Sequence, residues 1–160
     1  MKMDFIFVMT SEAAKIFVDY LAGNGLSMTP QRKVIVETFW ETEGHFSAEE
    51  LLALVQKTVP EVGQATVYRT LKLLVDSGLA ESHDFGCGVA LYEHSYGHEH
   101  HDHLVCTRCQ KKVEVVDESI EKRQEILARK NGYVLTNHRM MLFGLCPACQ
   151  KLRDKEEAES

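Results

Sequence analysis

The sequence lacks an apolar run long enough to cross a bilayer. A transmembrane helix needs about 20 mostly apolar residues, whereas the apolar stretch Phe5–Met9 lies between Asp4 and Thr10. The same stretch is too short for the core of a secretory signal peptide. We therefore expect a cytoplasmic protein without a membrane partner.

Proline is also scarce, with only 3 among 160 residues, and hydrophobic residues make up 44% of the chain. This composition argues against a disordered polypeptide and predicts a folded one. The length fits one domain or two small ones.

An excess of positive charge is absent as well, because the formal net charge is −6. Residues 1–93 hold 7 Lys and Arg against 13 Asp and Glu, and residues 94–160 hold 11 of each. Composition alone therefore does not indicate nucleic-acid binding. Net charge nevertheless describes a local face poorly, and bound divalent ions would add positive charge.

Potential metal ligands, in contrast, are dense. The segment His98–Cys109 contains eight of them in twelve residues, and a second cysteine pair, Cys146 and Cys149, follows 37 residues later. Two such pairs can direct four sulfurs at one ion, which predicts a structural zinc site. The histidines and carboxylates suit an exchangeable first-row divalent ion instead. Together these ligands suggest a metal sensor. Cys87 lacks a partner at ligand spacing and is interpreted as a small residue in a turn.

Residues 11–78 read as four short helices separated by capping and turn signals. Thr29 followed by Pro30 is typical of a helix start. The segment Ser47-Ala48-Glu49-Glu50 has the sequence of a capping box, which predicts another start.

The fourth helix is predicted from about Ala65 to Ser77, with Gly78 as its stop. Two short strands are expected after it, at 79–83 and 89–93. Helices that end in a helix-turn-helix pair and are followed by a hairpin predict a winged helix over residues 1–94.

The outer face of this fourth helix carries the candidate DNA contacts. Mixed aromatic, basic and hydroxyl side chains can reach base edges, thymine methyl groups and phosphates. The alternative is an ordinary solvated helix face. The candidate DNA-contacting residues are Thr66, Arg69, Thr70 and Lys72, which are expected to be exposed, and Tyr68, which is expected at the border of the apolar stripe.

The second half of the chain changes character after a hinge at 95–97. Its predicted elements are strands at 101–106 and 112–116, a helix from Asp117 to Lys130, and a strand pattern from Tyr133 to Leu145. A second domain is thus expected over 98–150, followed by a charged, frayed tail over 151–160. The fold class is α+β, a winged helix-turn-helix followed by a small α/β domain with the four-cysteine site.

Strand geometry divides the histidine segment into two sets. Alternate side chains of a strand face opposite ways, so His101 and His103 share one face while His100 and Asp102 share the other. Each set needs partners from elsewhere. Lone histidines such as His45, His83 and His94 are, taken singly, interpreted as surface residues. The available partners are His45, Glu93, Glu114, Glu121 and His138.

The order of these motifs resembles that of a ferric uptake regulator family repressor. The segments that carry the resemblance are Gly25-Leu26-Ser27-Met28-Thr29-Pro30-Gln31-Arg32, Ala65-Thr66-Val67-Tyr68-Arg69-Thr70-Leu71, His100-His101-Asp102-His103-Leu104-Val105-Cys106-Thr107-Arg108-Cys109 and Leu135-Thr136-Asn137-His138. The resemblance implies a homodimer in which the winged helix binds double-stranded operator DNA and the C-terminal half dimerises. It implies no small-molecule substrate and no enzymatic activity.

The resemblance also implies three metal sites, assigned by position. The structural Zn²⁺ ligands would be Cys106, Cys109, Cys146 and Cys149. The regulatory site, between the two domains, would bind Fe²⁺ or a surrogate such as Mn²⁺ or Zn²⁺ through His45, Glu93, His101, His103 and Glu114. An additional site would consist of His100, Asp102, Glu121 and His138.

Departures from the family pattern refine the function. Peroxide-sensing relatives tend to have aspartates at the positions of Glu93 and Glu114, so these glutamates favour an Fe²⁺-dependent repressor of iron-uptake genes. A peroxide sensor or a sensor of another metal is the alternative within the family. Ser27 stands near the position of a basic residue that reaches the minor groove in iron-sensing relatives, and that contact is not carried over.

Two alternatives from other classes are also considered. The residues from His98 to His103 match His-x-His-x-Asp-His, a signature of dinuclear metallo-hydrolases. Only 57 residues follow His103, too few for the remaining strands and ligands of such an enzyme. A zinc-stabilised interaction module without DNA binding would tolerate the acidic N-terminal half. Neither alternative accounts for the fourth helix together with His45, Glu93 and His138.

Overall fold

The computed structural model describes residues 9–86, 88–97 and 100–159. Cys87, which is predicted to lie in a turn, and His98 and Glu99, which follow the predicted hinge, lie outside the described residues, as does most of the stretch Phe5–Met9. The chain divides into two compact units, Met1–His98 and Glu99–Ser160. No helix in the described ranges is long and apolar enough to cross a membrane.

The first unit combines four helices with a small antiparallel sheet. The strands lie in the order β1-β3-β2. The elements are α1 (Ser11–Gly23), α2 (Pro30–Glu41), β1 (Phe46–Ser47), α3 (Ala48–Gln56), α4 (Gln64–Asp76), β2 (Ala80–Asp84) and β3 (Ala90–His94). This is the winged helix that the sequence predicts.

Capping side chains set the starts of these helices. The Thr29 hydroxyl accepts a hydrogen bond from the backbone N–H of Arg32 (3.2 Å), with Pro30 in the first turn. Ser47 and Glu50 form the predicted capping box, because the Glu50 N–H donates to Ser47 Oγ and the Ser47 N–H donates to Glu50 Oε2. Gly78 ends the fourth helix with φ of 75°, a left-handed conformation that glycine adopts without strain.

The core of the first unit lies between the four helices. Its largest fully buried side chains include Phe17 from α1, Phe39 from α2, Leu51 from α3, and Leu71 and Leu74 from α4. Burial of an apolar side chain of this size contributes roughly 1.5–3 kcal/mol to folding. The core therefore fixes α4 by its apolar stripe and leaves the opposite face in solvent.

The second unit is built on a three-stranded sheet in the order β5-β4-β6. Strand β6 runs parallel to β4, with Cys106 opposite Gly144, so the two strands end at the same edge. This pairing brings the residues after β6 close to the residues after β4. The elements are β4 (Asp102–Cys106), β5 (Lys112–Val115), α5 (Glu118–Lys130), β6 (Met141–Gly144) and α6 (Pro147–Ala158).

Two expectations for the second unit are wrong. The strand pattern from Tyr133 to Leu145 yields a strand only at Met141–Gly144, and just before it the Met140 N–H donates to the Asp102 side chain (2.9 Å) rather than to the backbone of β4. The tail is helical through Ala158 rather than frayed. An ion pair joins Arg108 to Glu156 (3.1 Å from Nη1 to Oε2) and stabilises this last helix against the β4–β5 turn.

Candidate metal sites and nucleic-acid interface

The four predicted zinc ligands come together in the second unit. The sulfurs of Cys106, Cys109, Cys146 and Cys149 all lie within 4.8 Å of one another, and those of Cys109 and Cys146 are 3.7 Å apart. Tetrahedral zinc with bonds of about 2.3 Å would separate its sulfurs by roughly 3.8 Å. The thiols are not joined by disulfides. Their spacing therefore fits one zinc ion.

The thiols differ in how readily they ionise. Backbone N–H groups of Cys109 and Cys146 lower the pKa of Cys106 to about 6. Burial and the neighbouring sulfurs raise the pKa of Cys149 to about 12. Four sulfurs this close cannot all carry negative charge unless a cation offsets their repulsion. This is the electrostatic requirement that a zinc ion meets.

A second cluster in the same unit joins His100, Asp102, Glu121 and His138. Their ligand atoms lie within 4.8 Å of one another. Nε2 of His138 is 2.9 Å from Glu121 Oε2, and Nε2 of His100 is 3.4 Å from Asp102 Oδ1. Oε1 of Glu121 is buried and has no hydrogen-bond partner among the described residues. Such an acceptor fits a cation, although a metal role for the cluster stays a prediction.

His101 and His103 lie on the other face of the histidine segment, next to Glu114 on β5. His103 is opposite Glu114 in the β4–β5 ladder, and Nε2 of His101 lies 3.9 Å from Glu114 Oε1. The imidazole rings of His101 and His103 are 5.0 Å apart. His103 is buried, whereas Glu114 is largely exposed. The second unit therefore contains three neighbouring donors of the predicted regulatory set.

The remaining two members of that set lie next to each other in the first unit. Nε2 of His45, just before β1, lies 3.1 Å from Oε2 of Glu93 on β3. A third side chain, His83 on β2, places its Nε2 2.8 Å from Glu93 Oε1. Burial of Glu93 opposes ionisation, but contacts with the two imidazoles outweigh it and hold the pKa of this carboxyl well below its usual range.

The surface interpretation of His83 is wrong, since it is 6% exposed and contacts Glu93. Alternation along the hairpin is the signal that was missed, because Glu81 pairs with Glu93 and His83 lies two residues further on the same face of β2. His94 is also not a simple surface residue, because its ring stacks on Trp40 at 5.5 Å.

The outer face of α4 exposes most of the predicted DNA contacts. Tyr68, Arg69 and Lys72 are exposed and Thr66 is half-buried. The Tyr68 hydroxyl donates to Glu49 Oε1 (2.6 Å), which raises the pKa of Tyr68. The prediction that Thr70 is exposed on this face is wrong. Thr70 is 1% exposed, and its hydroxyl donates to the Thr66 carbonyl (2.8 Å).

A winged helix followed by a unit with clustered cysteines and histidines matches a known family. The model of the Ferric uptake regulator family matches residues 23–143, most of the chain. The chain belongs to the ferric uptake regulator family. Members of this family are metal-responsive transcription regulators and not enzymes, so the metallo-hydrolase alternative is wrong.

Individual relatives support the assignment over nearly the full length. The ferric uptake regulation protein of Bordetella parapertussis is 42% identical, over 83% of this chain and 96% of its own. The Helicobacter pylori ferric uptake regulator, described as having three functional metal binding sites, superposes with a TM-score of 0.77 at 28% identity, covering 89% of this chain and 95% of that one. The Vibrio cholerae ferric uptake regulator gives a TM-score of 0.66 at 41% identity, covering 80% and 98%.

Proposed function

We propose that this protein is an Fe²⁺-dependent repressor of iron-uptake genes that binds operator DNA as a homodimer in the cytoplasm. The observation that carries the proposal is the division of five candidate ligands between two units. His45 and Glu93 contact each other in the first unit, and His101, His103 and Glu114 are neighbours in the second. Neither set alone supplies a full first-row coordination shell.

The two sets would bind one divalent ion together. This ion would then be bonded to both units at once. Imidazole and carboxylate donors suit Fe²⁺ and its surrogates Mn²⁺ and Zn²⁺, whereas the four thiolates would hold Zn²⁺ as a structural ion. The five donors can converge only in some mutual orientations of the two units. Ligand convergence would thus be coupled to the spacing of the two α4 helices in the dimer.

Operator binding measured without oxygen against a metal series would test the proposal. We expect Fe²⁺ to tighten binding by roughly 5- to 150-fold, the usual range of an allosteric coupling. Mn²⁺ should reproduce part of the effect. Equal affinity with and without each metal would contradict the proposal. A response lost on brief exposure to peroxide would favour the peroxide-sensing alternative.

We expect Arg69→Ala to weaken operator binding by about 1 to 3 kcal/mol, or roughly 5- to 150-fold. Arg69 is exposed near the start of α4, where its side-chain Nε donates to the Ala65 carbonyl (3.1 Å). A guanidinium at this position can bind a guanine edge or a phosphate. Fluorescence anisotropy at several salt concentrations would measure the loss.

Arg153→Ala is the matched control for this experiment. It removes the same charge from α6, where Arg153 pairs with Asp154 (3.0 Å), and should leave operator affinity unchanged. If Arg69→Ala binds as tightly as the unsubstituted protein at every salt concentration, α4 has an ordinary solvated face. The interaction-module alternative would then gain support.

An exposed apolar row on the second unit supports the homodimer. Leu104 lies opposite Val113 on one side and Leu142 on the other, so the three side chains form a line across the sheet. They are 40%, 45% and 48% exposed, which is unusual for neighbouring apolar residues in a soluble protein. We propose that a second copy of the chain covers this row.

Leu142→Glu should convert the dimer to a monomer, because it would bury a carboxylate without a partner in the proposed interface. Sedimentation velocity would measure the change. Val18→Glu on α1 makes the same substitution at a similarly exposed site (45%) and should leave the dimer intact. A stable Leu142→Glu dimer would place the interface elsewhere.

A further inference from the structure

His83 is a buried imidazole that the proposed ligand sets do not include. Its side chain is 5% exposed, and its Nε2 lies 2.8 Å from Oε1 of Glu93. His45 faces the other oxygen of the same carboxylate, with its Nε2 3.1 Å from Oε2. The Glu93 carboxylate therefore lies between two imidazoles, one at each oxygen.

The sheet of the first unit produces this arrangement. Strand β3 lies between β1 and β2, so Glu93 has His45 on one side and the β2 residue His83 on the other. Phe85 is 1% exposed and packs near both imidazoles, with ring centroids 5.1 Å from His45 and 5.5 Å from His83. Phe85 therefore keeps water from one side of the two imidazoles, and this strengthens their contacts with the Glu93 carboxylate.

We propose that His83 is a positioning residue of the regulatory metal site. It holds Oε1 of Glu93 and so keeps Oε2 beside the His45 imidazole, where the two side chains could bind one ion together. A carboxylate held in this way offers one oxygen to a metal ion, since two-oxygen binding would require Oε1 as well. Residues that hold ligating side chains without touching the metal commonly tune its affinity.

The proposal rests on the proposed function, because it takes Glu93 and His45 as metal ligands. It goes further by assigning a role to a residue outside the five. Loss of the His83 contact would remove this restraint on Oε1, so that Glu93 could rotate or bind through both oxygens. Both affinity and coordination number would then change, and the visible absorption of bound Co²⁺ reports each of them.

A Co²⁺ titration of zinc-loaded protein would test the role of His83. The protein would also carry His138→Ala, to weaken the cluster on the other face of the histidine segment. We expect His83→Leu to weaken Co²⁺ binding by about 10- to 100-fold and to alter the absorption spectrum. His83→Gln keeps a side-chain N–H donor and should restore most of the affinity.

His94→Leu is the matched control. It removes another imidazole, on β3 next to Glu93 but stacked on Trp40, and should leave Co²⁺ binding unchanged. Circular dichroism and thermal unfolding would verify that each variant is folded, and retained zinc would verify that the thiolate site is intact.

Unchanged Co²⁺ affinity and spectrum in a folded His83→Leu protein would overturn the positioning role. Equal weakening in His83→Leu and His83→Gln would also overturn it, because that result would indicate that His83 binds the ion itself. His45→Ala separates this inference from the proposed function. If His45→Ala also binds Co²⁺ as tightly as the unsubstituted protein, the regulatory ligand set is wrongly assigned.

Discussion

Replacing Cys109 by Ser is expected to release zinc and to dissociate the dimer. The four sulfurs link the turn after β4 to the start of α6, two segments that are 37 residues apart in the chain. A closed thiolate site has no open coordination position, so the unsubstituted protein should retain one zinc per chain through mild chelation. A hydroxyl in place of the thiolate weakens the site, because alcohol oxygen is a poor zinc ligand at neutral pH.

Loss of the dimer should follow from loss of the metal. The cysteines lie at the edge of the sheet where β4 and β6 end together, and the apolar row at Leu104 and Leu142 lies on these same strands. Without zinc, α6 and the end of β6 lose their link to β4. Leu142 would then no longer be held beside Leu104 in the apolar row. Metal binding and folding are coupled in small sites of this kind.

Zinc content after dialysis against a chelator, with sedimentation velocity, would check both effects. Cys87→Ser is the matched control, since it makes the same chemical change at the one cysteine outside the predicted site. It should retain zinc and remain a dimer. A Cys109→Ser protein that stays fully zinc-loaded and dimeric would contradict the four-cysteine assignment.

Local signals in the sequence account for most of the first unit. Capping side chains at Thr29 and Ser47 and the stop at Gly78 are decided by neighbours a few residues away, and the structure confirms all three. The outer face of α4 was predicted less well. Thr70 follows Val67 by three residues and precedes Leu74 by four, so helical spacing places it in the buried stripe with these residues and Leu71, as the structure has it.

Alternation along β4 predicts which ligands share a face but not what lies opposite them. His100 and Asp102 do meet each other, as expected. Their partners Glu121 and His138 come from α5 and from the segment before β6, and the family resemblance rather than any local pattern named them. For His83 the hairpin does carry a signal, because it lies two residues from Glu81, the residue of β2 that pairs with Glu93, and therefore on the same face of the strand.

Substitutions on the two faces of the histidine segment should differ in their effect on DNA binding. His101→Ala is expected to retain zinc and the dimer but to lose the 5- to 150-fold tightening on operator that Fe²⁺ or Mn²⁺ should produce. His101 is a member of the ligand set that is shared between the units. Only a site with ligands in both units can have different metal affinities in different orientations of those units, and a ligand without such a difference cannot shift the equilibrium.

His100→Ala provides the matched comparison, because it removes an imidazole one position earlier. His100, Asp102, Glu121 and His138 all belong to the second unit, so an ion bound there has no direct preference for any orientation of the first. Its loss should act mainly on the stability of the second unit and leave most of the DNA response. Titrating each variant with metal while following operator binding distinguishes the two. If His100→Ala abolishes the response and His101→Ala preserves it, the regulatory and additional sites are assigned in reverse.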